Sequence, residues 1–172
     1  MIRSTLGIVL LVGLVGCGHA EKAQAPPKPT QSATVTPSAV PVPKEPDTKA
    51  GAIAFVRRYV ALLNRAQATG DVNSVLAASA RSCTSCARVM RSITNLYEAG
   101  GHIDGGAWAV ERAIARPGVE PHLWSVTALT NAGRQVVVKP SQPRQVLSGG
   151  EHTYEFKVDL DAEMVNQWLF VA

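Results

Sequence analysis

No apolar stretch in this sequence is long enough to span a bilayer. The longest, Leu6 to Val15, falls well short of the roughly 20 apolar residues a membrane helix needs. Blocks of like charge are also missing. Lys and Arg total 17 against 13 Asp and Glu, and the resulting +4 is spread along the chain with no basic run of five. Nucleic-acid binding calls for a clustered basic face, so nucleic acid is not an expected partner. What remains is a solvated surface leaning toward anionic envelope polymers. There is no Gly-x-Ser-x-Gly elbow, no phosphate loop and no His-Glu-x-x-His, which removes the usual signals of a serine hydrolase, a nucleotide hydrolase and a zinc protease. Cysteine is scarce, with three in the chain. A structural zinc site wants four ligands, and no second Cys-x-x-Cys is present. Neither a metal nor another cofactor is expected. Tryptophan is equally scarce, at three residues, and Trp168, in the apolar run Trp168 to Val171, is expected to be buried.

Of what is present, Leu14-Val15-Gly16-Cys17 is the most informative stretch. It closes a short apolar run that follows the single charge of Arg3, the pattern of a secretory signal's n- and h-regions. A small residue directly before cysteine reads as a lipobox. Residues 1–16 are then the signal peptide, and Cys17 carries a diacylglyceryl group on the outer face of the cell membrane. Two acyl chains make a stable anchor, at about 0.8 kcal/mol per buried methylene, whereas one holds only marginally. About 155 residues remain, enough for one domain of about 100–200 residues. Residues 17–47 are the lipidated cysteine and a tether: seven of the eleven prolines fall there, and no large aromatic does. Such a segment buries too little to offset its ordering entropy, so it is expected to be disordered and extended.

Residues 48–172 read as an α+β domain. Thr48 is placed to cap a helix in which Ile53, Val56, Val60 and Leu63 make an apolar stripe, ended by Gly70. Asp71 opens a short second helix through Val75 and Leu76. A third spans about Ser85 to Ala99, with Val89, Ile93 and Leu96 as its apolar line. His102-Ile103-Asp104-Gly105-Gly106 reads as a turn. The period then changes to two. Trp108, Val110 and Ile114 share one parity of a first strand. Leu123 to Thr130 and Gln135 to Lys139 follow. His152, Tyr154, Phe156, Val158 and Leu160 alternate with charged residues in a strand that has one face in the core. Trp168 to Val171 is a fifth strand or a docked tail. Helices followed by an antiparallel meander predict three helices packed on one curved sheet of four to five strands. This layout resembles the NTF2-like cone. That fold usually places a strand or hairpin between its second and third helices, where this chain has only Ala77 to Ser85.

Gly51-Ala52-Ile53-Ala54-Phe55, Leu63-Asn64, Ala68-Thr69-Gly70-Asp71, Cys83-Thr84-Ser85-Cys86 and Ala99-Gly100-Gly101-His102 together resemble the actinobacterial lipoproteins carrying domain of unknown function 6318. The resemblance covers Thr48 to Trp108 well and the strand half weakly. It implies an envelope lipoprotein and no particular activity.

Four groups of residues are candidates for chemistry. Cys83 and Cys86 fit a local disulfide that pins the corner between the second and third helices. The other readings are a redox pair, whose thiolate a helix N-terminus would favour, a zinc site, and two free thiols. His102 and Asp104 flank the Gly-Gly turn and could do general acid-base work inside a pocket; the plainer reading is a polar loop. His152 and Tyr154 could line a pocket, against the plainer reading of a histidine satisfied in the core. His122, after a proline, is expected in solvent. Arg57, Arg58, Arg65, Arg88 and Arg91, with Glu98 nearby, read as a solvated helical face before an anion-binding one. The leading function is a non-catalytic envelope module for a protein, a wall polymer or a small ligand. The alternatives are a small cone-type dehydratase or isomerase using His102 and Asp104, and a thiol-disulfide protein using Cys83 and Cys86.

Overall fold

The computed structural model describes residues 43–171. Cys17, the signal peptide and the segment to Val42 lie outside the described residues. Three helices and seven strands follow in the order α1 (Lys49–Thr69), α2 (Asn73–Ala77), α3 (Thr84–Glu98), β1 (His102–Gly105), β2 (Trp108–Pro117), β3 (Leu123–Ala132), β4 (Gln135–Val138), β5 (Gln145–Leu147), β6 (Gly150–Asp159) and β7 (Met164–Phe170). The α+β class and the helices-first order are as expected.

Helix α1 starts where Thr48 Oγ1 accepts the amide of Gly51 at 3.1 Å. It ends at Gly70, whose φ of 78° and close approach to the Tyr97 ring admit no Cβ. Asp71 sits one residue before the N-cap of α2 and accepts the Asn73 amide. Cys83 caps α3, its sulfur accepting the Cys86 amide at 3.2 Å.

The strands form two sheets where one was expected. The larger runs β2-β3-β6-β7 and is antiparallel throughout. The smaller is β1-β4-β5. Two features separate the structure from the expected meander. The stretch His102 to Gly105, read as a turn, is a strand. The Val136-Val137-Val138 strand does not follow β3 into the large sheet; it swings out with β5 to pair with β1, and β3 pairs directly with β6 from Leu123–Asp159 to Ala132–Gly150. The final segment is a strand, the end of β7.

The core lies between α1, α3 and one face of the large sheet. Phe55, Val56, Tyr59, Val60 and Leu63 of α1 meet Val126, Ala128, Phe156 and Val158, and Cys86, Met90 and Ile93 of α3 pack beside Val165 and Trp168. Trp168 is 6% exposed, as expected, although its Nε1 finds no acceptor among the described residues. Ile114 is a correction. A bulge between Val110 and Arg112 inserts one residue, so Ala113 and Ala115 take the inner face and Ile114 is 56% exposed. With a side-chain period of two, one extra residue exchanges the faces of everything beyond it.

The segment between α2 and α3 holds no strand among the described residues, only one isolated bridge. Ser79 makes a parallel bridge with Val165, tied by Ala80 N to Val165 O and by Val165 N to Ala78 O. At the other end, the last residues assigned to the tether are docked on the domain. Lys44 Nζ pairs with Asp161 at 2.9 Å, and Asp47 reaches both His122 and Trp124.

Candidate functional site

The inner face of β6 runs from the core into an open cleft. Val158 and Phe156 are buried, whereas Tyr154 and His152, next on the same face, are only partly covered. The cleft, about 420 Å³, opens where the β4–β5 hairpin leaves the large sheet. Trp108, His152 and Tyr154 line one side, and Gln135, Val146 and Leu147 the other. The Trp108 and Tyr154 rings stack at 5.2 Å with planes 17° apart, and Phe170, 62% exposed, packs edge-on against Tyr154 and His152. Offset stacks and edge contacts of this kind fix ring positions and add about 0.5–1.5 kcal/mol each beyond burial.

The helices hold this cleft in shape. The Asn64 side chain, on α1, clamps the backbone of Trp108 at both ends: Nδ2 donates to its carbonyl at 2.8 Å and Oδ1 accepts its amide at 2.9 Å. Gln135 donates to Gln67 Oε1 at 3.0 Å and to the Gly106 carbonyl at 3.1 Å. The wall at Gly149 depends on a close approach, since a Cβ there would strike the Ala132 carbonyl. Tyr154 differs from the deeper Tyr59 in its polar end. Burial raises both phenols, but the Tyr59 hydroxyl is 2.9 Å from Ser79 Oγ and that bond offsets part of the rise, whereas nothing offsets it at Tyr154. The arrangement is an apolar cleft with a few convergent polar groups, the form small-ligand sites take.

The other candidates end elsewhere. His102 and Asp104 do come together, Nε2 to Oδ2 at 3.5 Å, because alternate residues of β1 share a face. Their side chains are 49% and 61% exposed on the small sheet, away from the cleft. General acid-base work gains its leverage from a dry site, and this pair has none. Cys83 and Cys86 form a disulfide with Cα atoms 5.3 Å apart, and both residues are buried. Exchange would require a thiolate to reach one of these buried sulfurs; as a disulfide the pair fits neither the free-thiol nor the zinc reading. His152 is not satisfied in the core, as the plainer reading had it, but stands at the rim with Phe170. His122 is half-exposed, yet it is paired, 2.6 Å from Asp47 Oδ2. The arginines form no single face. Arg57 donates to the Val110 carbonyl, Arg58 pairs with Glu163 at 2.9 Å and lies over Phe55, and Arg65, Arg88 and Arg91 are exposed. Among the described residues no three His, Cys, Asp or Glu are grouped to hold a metal, and no helix is long and apolar enough to cross a membrane.

The family model described as "Family of unknown function (DUF6318)" matches residues 19–171. The chain belongs to this family. No curated protein matches the chain. Among solved structures, the chain is similar in fold to the intermembrane-space region of the chloroplast protein ARC6, with a TM-score of 0.53 and 9% identity over 73% of this chain and 97% of that one. At that identity the likeness concerns fold alone.

Reading the sequence by itself singled out His152 and Tyr154 but missed Trp108, Val146, Leu147 and Phe170. One usable signal was present. The apolar parity of β6 runs two residues past the stretch that the helices can cover, which marks His152 and Tyr154 as an overhang.

Proposed function

We propose that this protein is an extracytoplasmic lipoprotein, anchored to the outer face of the cell membrane through Cys17, whose globular domain is a non-catalytic binding module. Residues 1–16 are the signal peptide and residues 18–42 a spacer in this reading. The ligand site is the cleft beside Trp108, Tyr154 and His152, and its occupant is a small envelope molecule or the end of a wall polymer. The single observation that supports it is the aromatic overhang: side chains whose parity belongs to the core stand partly open to solvent, and among the described residues no hydrogen bond engages the Tyr154 hydroxyl. The reading includes the finer fold assignment of an NTF2-like cone with the cleft as its mouth. The bulges between Val110 and Arg112 and between Lys157 and Val158 support it, since bulges bend a sheet.

The test follows tryptophan emission of the full chain while soluble glycan and small-molecule fractions of the envelope are added. A saturable change that Tyr154→Ala weakens at least about tenfold, equivalent to about 1.4 kcal/mol, is the expected result. No change with any fraction, or a change indifferent to Tyr154→Ala, would sink the cleft as the site. Anchoring is tested separately by fractionating cells that express Cys17→Ser, which should release the protein from the membrane pellet.

A further inference from the structure

Helix α3 carries more apolar surface than the core uses. The sequence pointed to Val89, Ile93 and Leu96 as its buried line, but the helix turns Cys86, Met90 and Ile93 inward and leaves Val89 and Leu96 only partly covered. These two overhang a groove of about 350 Å³ between α3 and the small sheet, whose other wall is Ile103 and Val137. The groove continues past Leu96 toward Ala99 and Pro140. From Arg88 to Ala99 it follows about 17 Å of helix at 1.5 Å per residue. Each wall carries an exposed cation, Arg88 on the helix and Lys139 on the sheet side, and no carboxylate lines either stretch. The ion pairs among the described residues engage Lys44, Arg58, Lys157, His102 and His122 instead.

We propose that this groove is a docking site for an acidic amphipathic segment of a partner protein, separate from the aromatic cleft. Apolar side chains of the segment fill the space between Val89, Leu96, Ile103 and Val137, and its carboxylates pair with Arg88 and Lys139. Charge complementarity chooses this occupant. Two cations on opposite walls call for two separated anions, which a peptide supplies at a spacing of a few residues. A single-chain lipid brings one headgroup and leaves one cation unmatched. A second copy of this chain would have to offer an acidic apolar strip of its own.

The experiment places a photo-cross-linker in the groove of the full chain, Ser92→p-benzoylphenylalanine, in the native host cell. The cross-linked product is digested and its peptide sequenced. Ser92 is exposed, so the replacement leaves the core alone. The expected product is a segment of another protein in which apolar residues alternate with at least two carboxylates. Arg88→Glu with Lys139→Glu should cut its yield at least tenfold while the melting curve is unchanged. Should that pair of changes disturb folding, Arg88→Glu alone gives the same reading at a smaller effect. A lipid adduct, a cross-link to a second copy of the chain, a segment without carboxylates, a yield indifferent to the charge reversal, or no product would each overturn the proposal. None of these outcomes touches the cleft, whose titration is independent.

Discussion

The two sheets are built from similar residues and do different work. In the large sheet, β3 and β6 run ten residues each, and their inner face contributes Val126, Ala128, Phe156 and Val158 to the core. In the small sheet the strands are three or four residues long, and none of their residues is fully buried, although β4 is almost all valine. What separates them is the presence of a helix over one face. Helix α1 lies on the large sheet, whereas the small sheet touches α1 through β1 and stands off α3 across the groove. Length and cover, more than β-propensity, decide which sheet carries stability. Both proposed binding surfaces border the sheet that carries less of it.

The comparison is broken most severely by emptying the large sheet. Phe156→Ala should cost about 3–5 kcal/mol by loss of burial and a residual cavity. Val137→Ala in the small sheet should cost about 1 kcal/mol or less, with urea denaturation followed by circular dichroism measuring both. Equal losses would show that the small sheet is part of the same cooperative unit. Next in size is the staple at the start of α3. Cys83→Ala with Cys86→Ala should lower stability by about 2 kcal/mol, the loop-entropy value for a three-residue separation, read from the same denaturation curves. The change should leave ligand-dependent emission at the aromatic cleft intact, because the disulfide is not part of it.

The smallest expected effect concerns the edge where the chain enters the domain. Asp47 is held below the usual carboxylate range first by the indole N–H of Trp124 at 2.8 Å and then by His122. A depressed carboxylate stabilises the fold above its ordinary pKa of about 3.9, and that contribution fades as pH falls through the lower folded value. The Trp124 Nε1–H resonance should therefore shift only at acid pH below that range, and should be insensitive to pH there in Asp47→Asn. A shift centred at the ordinary value would mean the contact is absent in solution. Asp47 lies at the surface where solvent screens it, so the global melting temperature should hardly move.

Much of this molecule was legible in residue order. The Thr48 cap, the Gly70 stop, the outline of all three helices, the β6 alternation and the burial of Trp168 all follow from signals within a few residues. The disulfide fits the same rule, with its partners one helical turn apart. Legibility failed where one residue or one partner changes the answer. The bulge before Arg112 reversed the face of Ile114, and nothing local marks it. His102 to Gly105 looks like a turn because the Gly105-Gly106 pair at its end is visible and its partner, β4, is thirty or more residues away. The site failed for the same reason: Trp108, Val146 and Tyr154 meet only after β4 and β5 have left the meander.

Periodicity and end signals in the amino-acid order thus determined the α+β class, the outline of each helix to within about two residues, and which β6 residues share a face. Tertiary structure alone decided that the seven strands divide into two sheets, that Cys83 and Cys86 are sealed from solvent, that His102 and Asp104 stay in water, and that α3 shows Val89 and Leu96 to an open groove. The physical reason is range. Capping and alternation are settled by neighbours a turn or a pleat away, whereas strand partnership, bulge position and helix rotation are settled by which distant apolar surfaces cover one another best.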